Sequence, residues 1–134
     1  MYEDLIEKKI SSEAIFDGVL LHVKRDTVKL PNGKEATREW IKHPGASSVI
    51  PLLPDGRIIL VRQYRYPIDA VTLEVPAGKL DAPDEDPLVC AERELSEETG
   101  YTAEHITKLT TIATTVGFSN EKIHLCLLYT SPSP

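Results

Sequence analysis

The sequence predicts an α/β fold, in which a mixed sheet and an N-terminal antiparallel hairpin region accompany one long helix. Most of the chain consists of short runs rich in Val, Ile, Leu and Thr, separated by turn-forming residues, which is typical of strands. One segment instead has apolar residues at helical spacing. With 134 residues and 41% hydrophobic content, the chain has the length of one domain and can bury a core.

Seven segments have the composition of strands, and they are residues 19–30, 35–42, 47–53, 57–64, 71–76, 106–115 and 121–129. Pro31-Asn32-Gly33-Lys34 is a strong turn signal, so the first two segments are predicted to form a hairpin. Pro54-Asp55-Gly56 predicts a second hairpin between the third and fourth segments. Several strands around one central helix predict a mixed sheet.

Residues 87–99 are predicted to form the helix, because both of its ends are marked. Asp86 is a good N-cap and Pro87 suits the first helical position. Gly100 supplies the left-handed conformation that ends a helix. At about 100° per residue, four side chains then form one apolar stripe, and they are Leu88, Ala91, Leu95 and Thr99.

A second face of this helix carries three carboxylates, Glu94, Glu97 and Glu98, behind Arg93. Like charges three or four residues apart each destabilise a helix by roughly 0.2–0.5 kcal/mol. Oxygen ligands clustered on a rigid element suit a hard divalent cation such as Mg²⁺. On helix chemistry alone, a solvated acidic face explains the pattern equally well.

Charge and cysteine content argue against several classes of function. The formal net charge is −6, and an acidic chain lacks the basic footprint of a nucleic-acid-binding protein. Cys90 and Cys126 show neither a disulfide framework nor zinc-ligand spacing, and we interpret them as small buried hydrophobes. No leader and no long apolar run is visible, so we predict a cytoplasmic protein that acts on a small molecule and contacts no membrane.

The stretch from Gly78 to Tyr101 reads GKLDAPDEDPLVCAERELSEETGY. It resembles the Nudix box, G-x5-E-x7-R-E-U-x-E-E-x-G-U, in which U is a bulky apolar residue. The chain departs from that pattern once, because six residues rather than five separate Gly78 from Glu85. The extra residue falls in a loop by composition. The resemblance implies the Nudix fold, an α/β/α sandwich with a mixed sheet.

Segments on both sides of the box resemble the ADP-ribose pyrophosphatase branch of the Nudix family. They are TREW at 37–40, HPGA at 43–46, VRQYRYP at 61–67, LEVPAGKLD at 73–81 and GFSNEKIH at 117–124. The resemblance covers residues 19–124 and implies three regions. Residues 1–45 would be an N-terminal strand region that contacts substrate or a second subunit, 46–129 the Nudix hydrolase domain, and 130–134 a tail outside the family pattern.

The resemblance implies a catalytic and metal-binding group on the helix. The catalytic residues would be Arg93, Glu94, Glu97 and Glu98. The backbone carbonyl of Ala77 would bind Mg²⁺ together with Glu94 and Glu98, with Mn²⁺ as the alternative ion. Glu97 would be a further ligand or a close partner. Arg93 would orient the glutamates, and Glu85 would support Arg93.

The resemblance also implies a nucleotide-binding set, whose members are Arg38, Trp40, Arg65, Ala77, Gly78 and Leu80. Arg38 and Arg65 would reach the diphosphate, because a guanidinium fork fits phosphate geometry. Without the resemblance, both arginines are interpreted as ordinary exposed strand residues. Trp40 is the only tryptophan, and it would either stack on adenine or serve packing or a dimer contact.

The predicted function is Mg²⁺-dependent hydrolysis of the diphosphate bond of ADP-ribose or a related nucleoside diphosphate sugar, giving AMP and a sugar phosphate. Two alternatives stay open: a pyrophosphatase for another nucleoside diphosphate-X substrate, and a catalytically inactive nucleotide-binding module. The general base also stays open between Glu97 or Glu98 and a glutamate on a loop beyond the box. Glu121 is the last glutamate that fits the second description.

The two ends of the chain carry further predictions. The Ser/Pro-rich ending SPSP does not resemble the family's continuation, which adds a strand and a helix. We therefore expect a truncated chain with a non-native ending and weakened activity. In the resembled branch the N-terminal strands cross to a partner subunit, so a homodimer is predicted.

Overall fold

The computed structural model describes residues 1–132. This part of the chain contains nine strands, one α-helix and one 3-10 turn. The strands are β1 (Lys8–Asp17), β2 (His22–Lys29), β3 (Glu35–Lys42), β4 (Ala46–Leu52), β5 (Val61–Arg65), β6 (Ala70–Glu74), β7 (Ala77–Lys79), β8 (Tyr101–Ala113) and β9 (Lys122–Pro132). The helix is α1 (Pro87–Thr99), and the 3-10 turn is Tyr66–Ile68. Among the described residues, no helix is long and apolar enough to span a membrane.

The described residues form two compact units. Unit 1 consists of Met1–His43 and Thr114–Glu121. Unit 2 consists of Pro44–Ala113 and the residues from Lys122 onward. The predicted helix and the central strands therefore fall in unit 2, and the predicted N-terminal hairpin falls in unit 1.

Unit 1 is an antiparallel sheet with the strand order β1-β2-β3. The turn between β2 and β3 is the predicted one: the Leu30 amide donates to the Lys34 carbonyl at 2.8 Å, and Gly33 has a φ of +85°. The predicted N-terminal antiparallel hairpin is therefore present. Strand β1 (KKISSEAIFD) is not among the predicted segments. All ten of its residues are exposed, and it lacks a clear alternation of apolar and polar residues.

Unit 2 contains a mixed four-stranded sheet with the order β7-β4-β9-β8. Strand β4 is parallel to β9, whereas its pairing with β7 and the pairing of β8 with β9 are antiparallel. Helix α1 packs its apolar stripe on this sheet. The core consists of fully buried side chains from both: Val49, Ala91, Leu95, Cys126 and Leu128. The predicted mixed sheet is confirmed, and the helix meets it through the predicted stripe.

The second predicted hairpin, between residues 47–53 and 57–64, is present only close to its turn. The turn itself forms as predicted. The Leu53 amide donates to the Arg57 carbonyl at 2.8 Å, and the Gly56 amide donates to the Leu53 carbonyl at 3.0 Å. Leu52 and Ile58 form an isolated antiparallel bridge, and the Ile59 amide donates to the Pro51 carbonyl at 3.1 Å. Beyond these contacts the two segments separate. Strand β4 pairs with β9 along its length and with β7 at residues 46–48, and β5 pairs with β6 in a separate two-stranded sheet.

Strands β8 and β9 are longer than predicted. Strand β8 begins at Tyr101, directly after the helix-ending Gly100, and β9 continues through Pro132. Thr130 and Ser131 pair with Ala103 and Thr102, and Thr130 is buried. The described part of the predicted tail, 130–132, therefore forms the end of β9, while 133–134 lie outside the described residues.

Candidate functional site

Helix α1 is held at both ends as its sequence predicts. Asp86 accepts a hydrogen bond from the Leu88 amide at 2.9 Å, and Gly100 adopts a φ of +74° while its amide donates to the Ser96 carbonyl. Glu94 and Glu98 lie at the edge of the helix face that is buried through Ala91 and Leu95. Both are next to β7, because the Glu94 carboxylate lies against Gly78 and Glu98 accepts a hydrogen bond from the Ala77 backbone. Glu94 is half-buried, and Glu97 and Glu98 are exposed.

Glu94 and Glu98 have carboxylates that the protein does not fully compensate. Burial raises the pKa of Glu94, and repulsion from Glu98 and Glu97 raises it further. Burial also raises the pKa of Glu98, a backbone hydrogen bond from Ala77 opposes this, and repulsion from Glu74 adds to it. Two carboxylates held together at this cost form a site with a preference for positive charge.

Arg93 offsets only part of the charge on Glu94, because its guanidinium is paired with other carboxylates. It pairs with Glu85 through both terminal nitrogens, one of them at 3.2 Å, and with Asp81 at 3.1 Å. The Glu85 carboxylate also accepts from the Asp81 amide at 2.9 Å. The hydrogen bonds with Glu85 raise the pKa of Arg93. The predicted support of Arg93 by Glu85 is present, and it ties the loop before α1 to the helix.

The extra residue in the box lies within this same loop. The Glu85 amide donates to the Ala82 carbonyl at 3.0 Å, which closes a turn over 82–85. The turn accommodates the additional residue while Glu85 still reaches Arg93. The departure from the usual spacing therefore leaves the ion pair intact.

Gly78 lies against the carboxylate of Glu94. A β-carbon built on Gly78 would overlap the Glu94 carboxylate atoms. This close approach explains why the motif requires glycine at this position. The next residue but one, Leu80, was predicted to bind substrate, but it is buried at 6% exposure and its amide donates to the Gly45 carbonyl. Its side chain therefore packs in the protein interior.

Arg65 forms a bidentate ion pair with Glu74. The Arg65 Nε donates to Glu74 Oε2 at 2.7 Å, and Arg65 Nη2 donates to Glu74 Oε1. The Thr72 hydroxyl also donates to Glu74. Hydrogen bonds from Arg65 and Thr72 lower the pKa of Glu74 to about 2. Arg65 is among the predicted binding residues but Glu74 is not, because nothing local in the sequence marks a partner on the adjacent strand.

An open cavity of about 230 Å³ lies beside Glu98, and its lining residues are Val61, Arg62, Gln63 and Glu98. The same strand that lines it, β5, ends at Arg65. Glu98 is close enough to contribute, after Glu74, to the raised pKa of Arg65. The structure thus brings together the predicted Ala77, Gly78, Glu94 and Glu98 in unit 2, with Arg65 nearby.

The predicted Arg38 and Trp40 lie in unit 1, on β3. Arg38 donates from Nε and Nη2 to Glu7 at 2.9 and 2.7 Å, and its Nη1 donates to the Thr37 carbonyl. Trp40 is half-buried. The pKa of Asp26 is lowered by a hydrogen bond from Ser12 and, to a smaller degree, by one from Trp40. Their nucleotide-binding roles stay predictions.

Glu121 is held on both carboxylate oxygens within unit 1. The Thr114 hydroxyl donates to Oε1 at 2.6 Å, and His43 Nε2 lies 3.0 Å from Oε2. The His43 amide donates to Asn120 Oδ1 at 2.7 Å. No local signal in the sequence marks His43 as the partner of Glu121, because the two residues lie far apart in the chain. A carboxylate with both oxygens engaged suits support of a loop better than proton abstraction.

The donor set on α1 fits a hard divalent cation. Within residues 1–132, no three His, Cys, Asp or Glu side chains converge as a ready-made metal site. Mg²⁺ does not need one, since it keeps several waters and is commonly bound by one or two carboxylates together with substrate phosphates. Glu94 and Glu98, with raised pKa values and little compensation, meet that requirement.

Two family patterns match almost the whole chain. The NUDIX domain matches residues 42–133, and the nucleoside diphosphate sugar hydrolase N-terminal domain matches residues 7–41. A solved structure described as an ADP compounds hydrolase superposes with a TM-score of 0.84 at 23% identity, covering 96% of this chain and 71% of that chain. This similarity confirms the predicted α/β fold.

Three curated relatives share much of the sequence. The chain is 46% identical over 125 residues to an ADP-ribose pyrophosphatase of Bacillus subtilis (strain 168), covering 93% of this chain and 67% of the relative. It is 47% identical over 119 residues to a methanol dehydrogenase activator of Bacillus methanolicus, covering 89% and 64%. It is 38% identical over 118 residues to an ADP-ribose pyrophosphatase of Mycobacterium tuberculosis (strain ATCC 25618 / H37Rv), covering 88% and 57%.

The chain spans about two thirds or less of the length of these relatives. The NUDIX pattern nevertheless includes every element that builds the carboxylate site, from β4 through β9. From the box residues, the fold and these matches together, the chain belongs to the NUDIX domain family.

Proposed function

We propose that this protein hydrolyses the diphosphate bond of ADP-ribose or a related nucleoside diphosphate sugar, giving AMP and a sugar phosphate. One observation carries the proposal: Glu94 and Glu98 lie one helical turn apart, beside Gly78 and Ala77, and burial raises the pKa of both. Neighbouring positive groups offset this only in part, and the guanidinium of Arg93 pairs with Glu85 instead. The relatives named as ADP-ribose pyrophosphatases support the choice of substrate.

The proposed cofactor is Mg²⁺, with Mn²⁺ as the alternative. Glu94, Glu98 and the backbone carbonyl of Ala77 would hold it, with Glu97 as a further ligand or close partner. When bound, the ion supplies neutralisation of diphosphate charge and acidification of a water molecule. The chain itself supplies the rigid placement: Arg93, Glu85 and Asp81 hold the loop that precedes α1, and the core holds the helix on the sheet.

Arg65 and Arg38 are proposed to bind the substrate's phosphates, and Trp40 to contact its base. Each arginine is paired with a carboxylate in the structure, Glu74 or Glu7, but each keeps donors for a second acceptor. Glu97 or Glu98 is proposed as the general base, since both oxygens of Glu121 are already engaged.

The test is release of AMP from ADP-ribose by the purified protein, with Mg²⁺ and with a chelator, beside GDP-mannose and NADH. We expect Mg²⁺-dependent release from ADP-ribose, and loss of it by about 100-fold or more in Glu98→Gln. The matched control is Glu92→Gln, an exposed glutamate on the same helix, which should retain activity. Release from GDP-mannose or NADH alone would redirect the proposal to another nucleoside diphosphate-X substrate.

A second candidate function is nucleotide binding without turnover. It is favoured by the relative of 47% identity that is named as an activator of methanol dehydrogenase. In that case ADP-ribose would bind to the wild-type protein, no AMP would be released, and Glu98→Gln would change nothing in the assay.

We further propose a homodimer that works in the cytoplasm. Six apolar side chains between residues 10 and 21 are at least 42% exposed: Ile10, Ile15, Phe16, Val19, Leu20 and Leu21. Apolar surface of this extent marks an interaction site more often than open surface. Both cysteines are free thiols, which suits a reducing compartment. Sedimentation equilibrium should give twice the monomer mass, and Phe16→Glu should shift the protein toward monomer.

A further inference from the structure

We propose that Glu74 and Thr72 are positioning residues that hold Arg65 with one edge of its guanidinium presented to an anionic diphosphate beside Glu98. This inference rests on the proposed function, because it assigns how that site recognises the charged part of its substrate. Neither Glu74 nor Thr72 belongs to the residues that the sequence predicts for binding or catalysis.

The contacts of Glu74 converge on one arginine. Its Oε2 accepts from Arg65 Nε at 2.7 Å and from the Thr72 hydroxyl, while its Oε1 accepts from Arg65 Nη2. The Glu74 side chain is 26% exposed and that of Arg65 is 46% exposed. The carboxylate is therefore enclosed at the base of the pair, and the arginine reaches from it toward solvent.

Arg65 contacts Glu74 through Nε and Nη2. The edge of its guanidinium between Nη1 and Nη2 is left to bind another acceptor. A guanidinium has five N–H groups in a planar fork. The contact with Glu74 occupies the edge that contains Nε, so the N–H groups of Nη1 and the second one of Nη2 remain. One N–H of Nη1 and the remaining N–H of Nη2 lie parallel at the end of the fork, and their spacing matches two oxygens of a phosphate.

The strand register brings this pair near the cavity beside Glu98, which is lined by Val61, Arg62, Gln63 and Glu98 and not by the pair itself. Val61 and Gln63, which line the cavity, pair across the strands with Glu74 and Thr72. Residues directly opposite each other share one face of a two-stranded sheet. Arg65 is two residues beyond Gln63 and so lies on that same face. Attraction to Glu98, after Glu74, contributes to the raised pKa of Arg65.

The pair is not required for the sheet that carries it. Strands β5 and β6 pair continuously over five residues, from Val61 opposite Glu74 to Arg65 opposite Ala70. An ion pair with a partner as exposed as Arg65 adds little to stability. A role in orienting Arg65 explains the hydrogen bond from the Thr72 hydroxyl to Glu74 better than a contribution to stability does.

The experiment measures binding of ADP-ribose and of inorganic pyrophosphate by calorimetry, in chelator so that no turnover occurs. We expect Glu74→Gln to weaken both affinities about tenfold, because the amide NH₂ faces an arginine donor and the fork loses its anchor. Thr72→Val, which keeps the ion pair and is the milder change, should weaken both about threefold. With Mg²⁺, the KM of Glu74→Gln should rise in proportion while kcat stays within about twofold.

The matched control is Asp55→Asn, which removes the charge from another arginine–carboxylate pair of unit 2. Asp55 pairs with Arg57 at 2.7 Å in an exposed turn, and the variant should bind both ligands as the wild type does. An equal or tighter affinity in Glu74→Gln would overturn the inference, since a competing carboxylate would then explain the pair.

Failure of the proposed function has a different signature. If the wild type binds pyrophosphate but not ADP-ribose, the proposed substrate is wrong, and the comparison of Glu74→Gln with wild type for pyrophosphate still decides the inference. If the wild type does not bind pyrophosphate, Arg65 presents no anion site and the inference is overturned.

Discussion

The close approach of Gly78 to Glu94 shows how a single residue of the box acts. The Glu94 carboxylate occupies the space that a β-carbon on Gly78 would need. The obstructing atoms are the far end of a flexible side chain, so Glu94 is able to rotate away. A side chain at Gly78 would therefore displace a carboxylate without disturbing the backbone around it.

Gly78→Ala is expected to abolish Mg²⁺-dependent AMP release while lowering the free energy of unfolding by less than about 1 kcal/mol. Calorimetry of Mg²⁺ binding and denaturant unfolding would measure the two effects separately. Gly117→Ala is the control for stability, because no atom lies within 4 Å of its added β-carbon. Retention of Mg²⁺ binding by Gly78→Ala would contradict the role of this contact.

Helix α1 carries a group of glutamates whose mutual repulsion lowers the stability of the helix. The helix is capped at both ends and anchored by Ala91 and Leu95. Packing at these two residues holds the helix in place even though burial, and then repulsion from Glu98, raises the pKa of Glu94. A face that is retained at a cost in stability indicates a functional constraint.

In the metal-free protein, Glu98→Gln should therefore raise the free energy of unfolding by about 0.5 kcal/mol, since it removes one like-charge pair at i, i+4. Urea unfolding in chelator measures this, and the activity assay with Mg²⁺ should show the opposite effect in the same variant. Glu92→Gln, on the exposed side of the same helix, should leave stability unchanged. A destabilised Glu98→Gln would mean that the carboxylate is compensated within the protein.

At the scale of the whole molecule, the raised pKa values of Glu94 and Glu98 link stability to pH and to metal. A carboxyl whose folded-state pKa is raised opposes folding when it is ionised. That cost is absent below the unfolded value of 4.5, grows as the pH rises through the raised pKa, and is complete above it. A divalent cation relieves the cost by binding the ionised form.

The rise in Tm on adding Mg²⁺ should therefore be large at about pH 7.5 and shrink toward about pH 5, where protons compete for the same carboxylates. Glu74 does not contribute in this range, because its pKa is about 2 and it stays ionised. Differential scanning calorimetry at several pH values measures the effect. The double variant Glu94→Gln/Glu98→Gln should show no Mg²⁺ effect at any pH, and a pH-independent effect in the wild type would count against these ligands.

Local signals in the sequence were sufficient for the elements whose cause is local. The caps Asp86 and Gly100 act within a few residues of the helix ends, so the bounds of α1 agree with the prediction. The same holds for the turn at Gly33. The box resemblance also selected Arg93, Glu94 and Glu98 and the support of Arg93 by Glu85.

The sequence by itself thus determined the helix, its carboxylate face, the first hairpin and the family. Only the tertiary structure decided which strands pair, that β4 lies between β7 and β9 rather than beside β5, and that Leu80 is buried. It also decided the partners of Arg65 and Glu121, which are Glu74 and His43. The physical reason is range: caps and turns are set by neighbours in the chain, whereas strand order and ion pairs depend on which distant segments share the core.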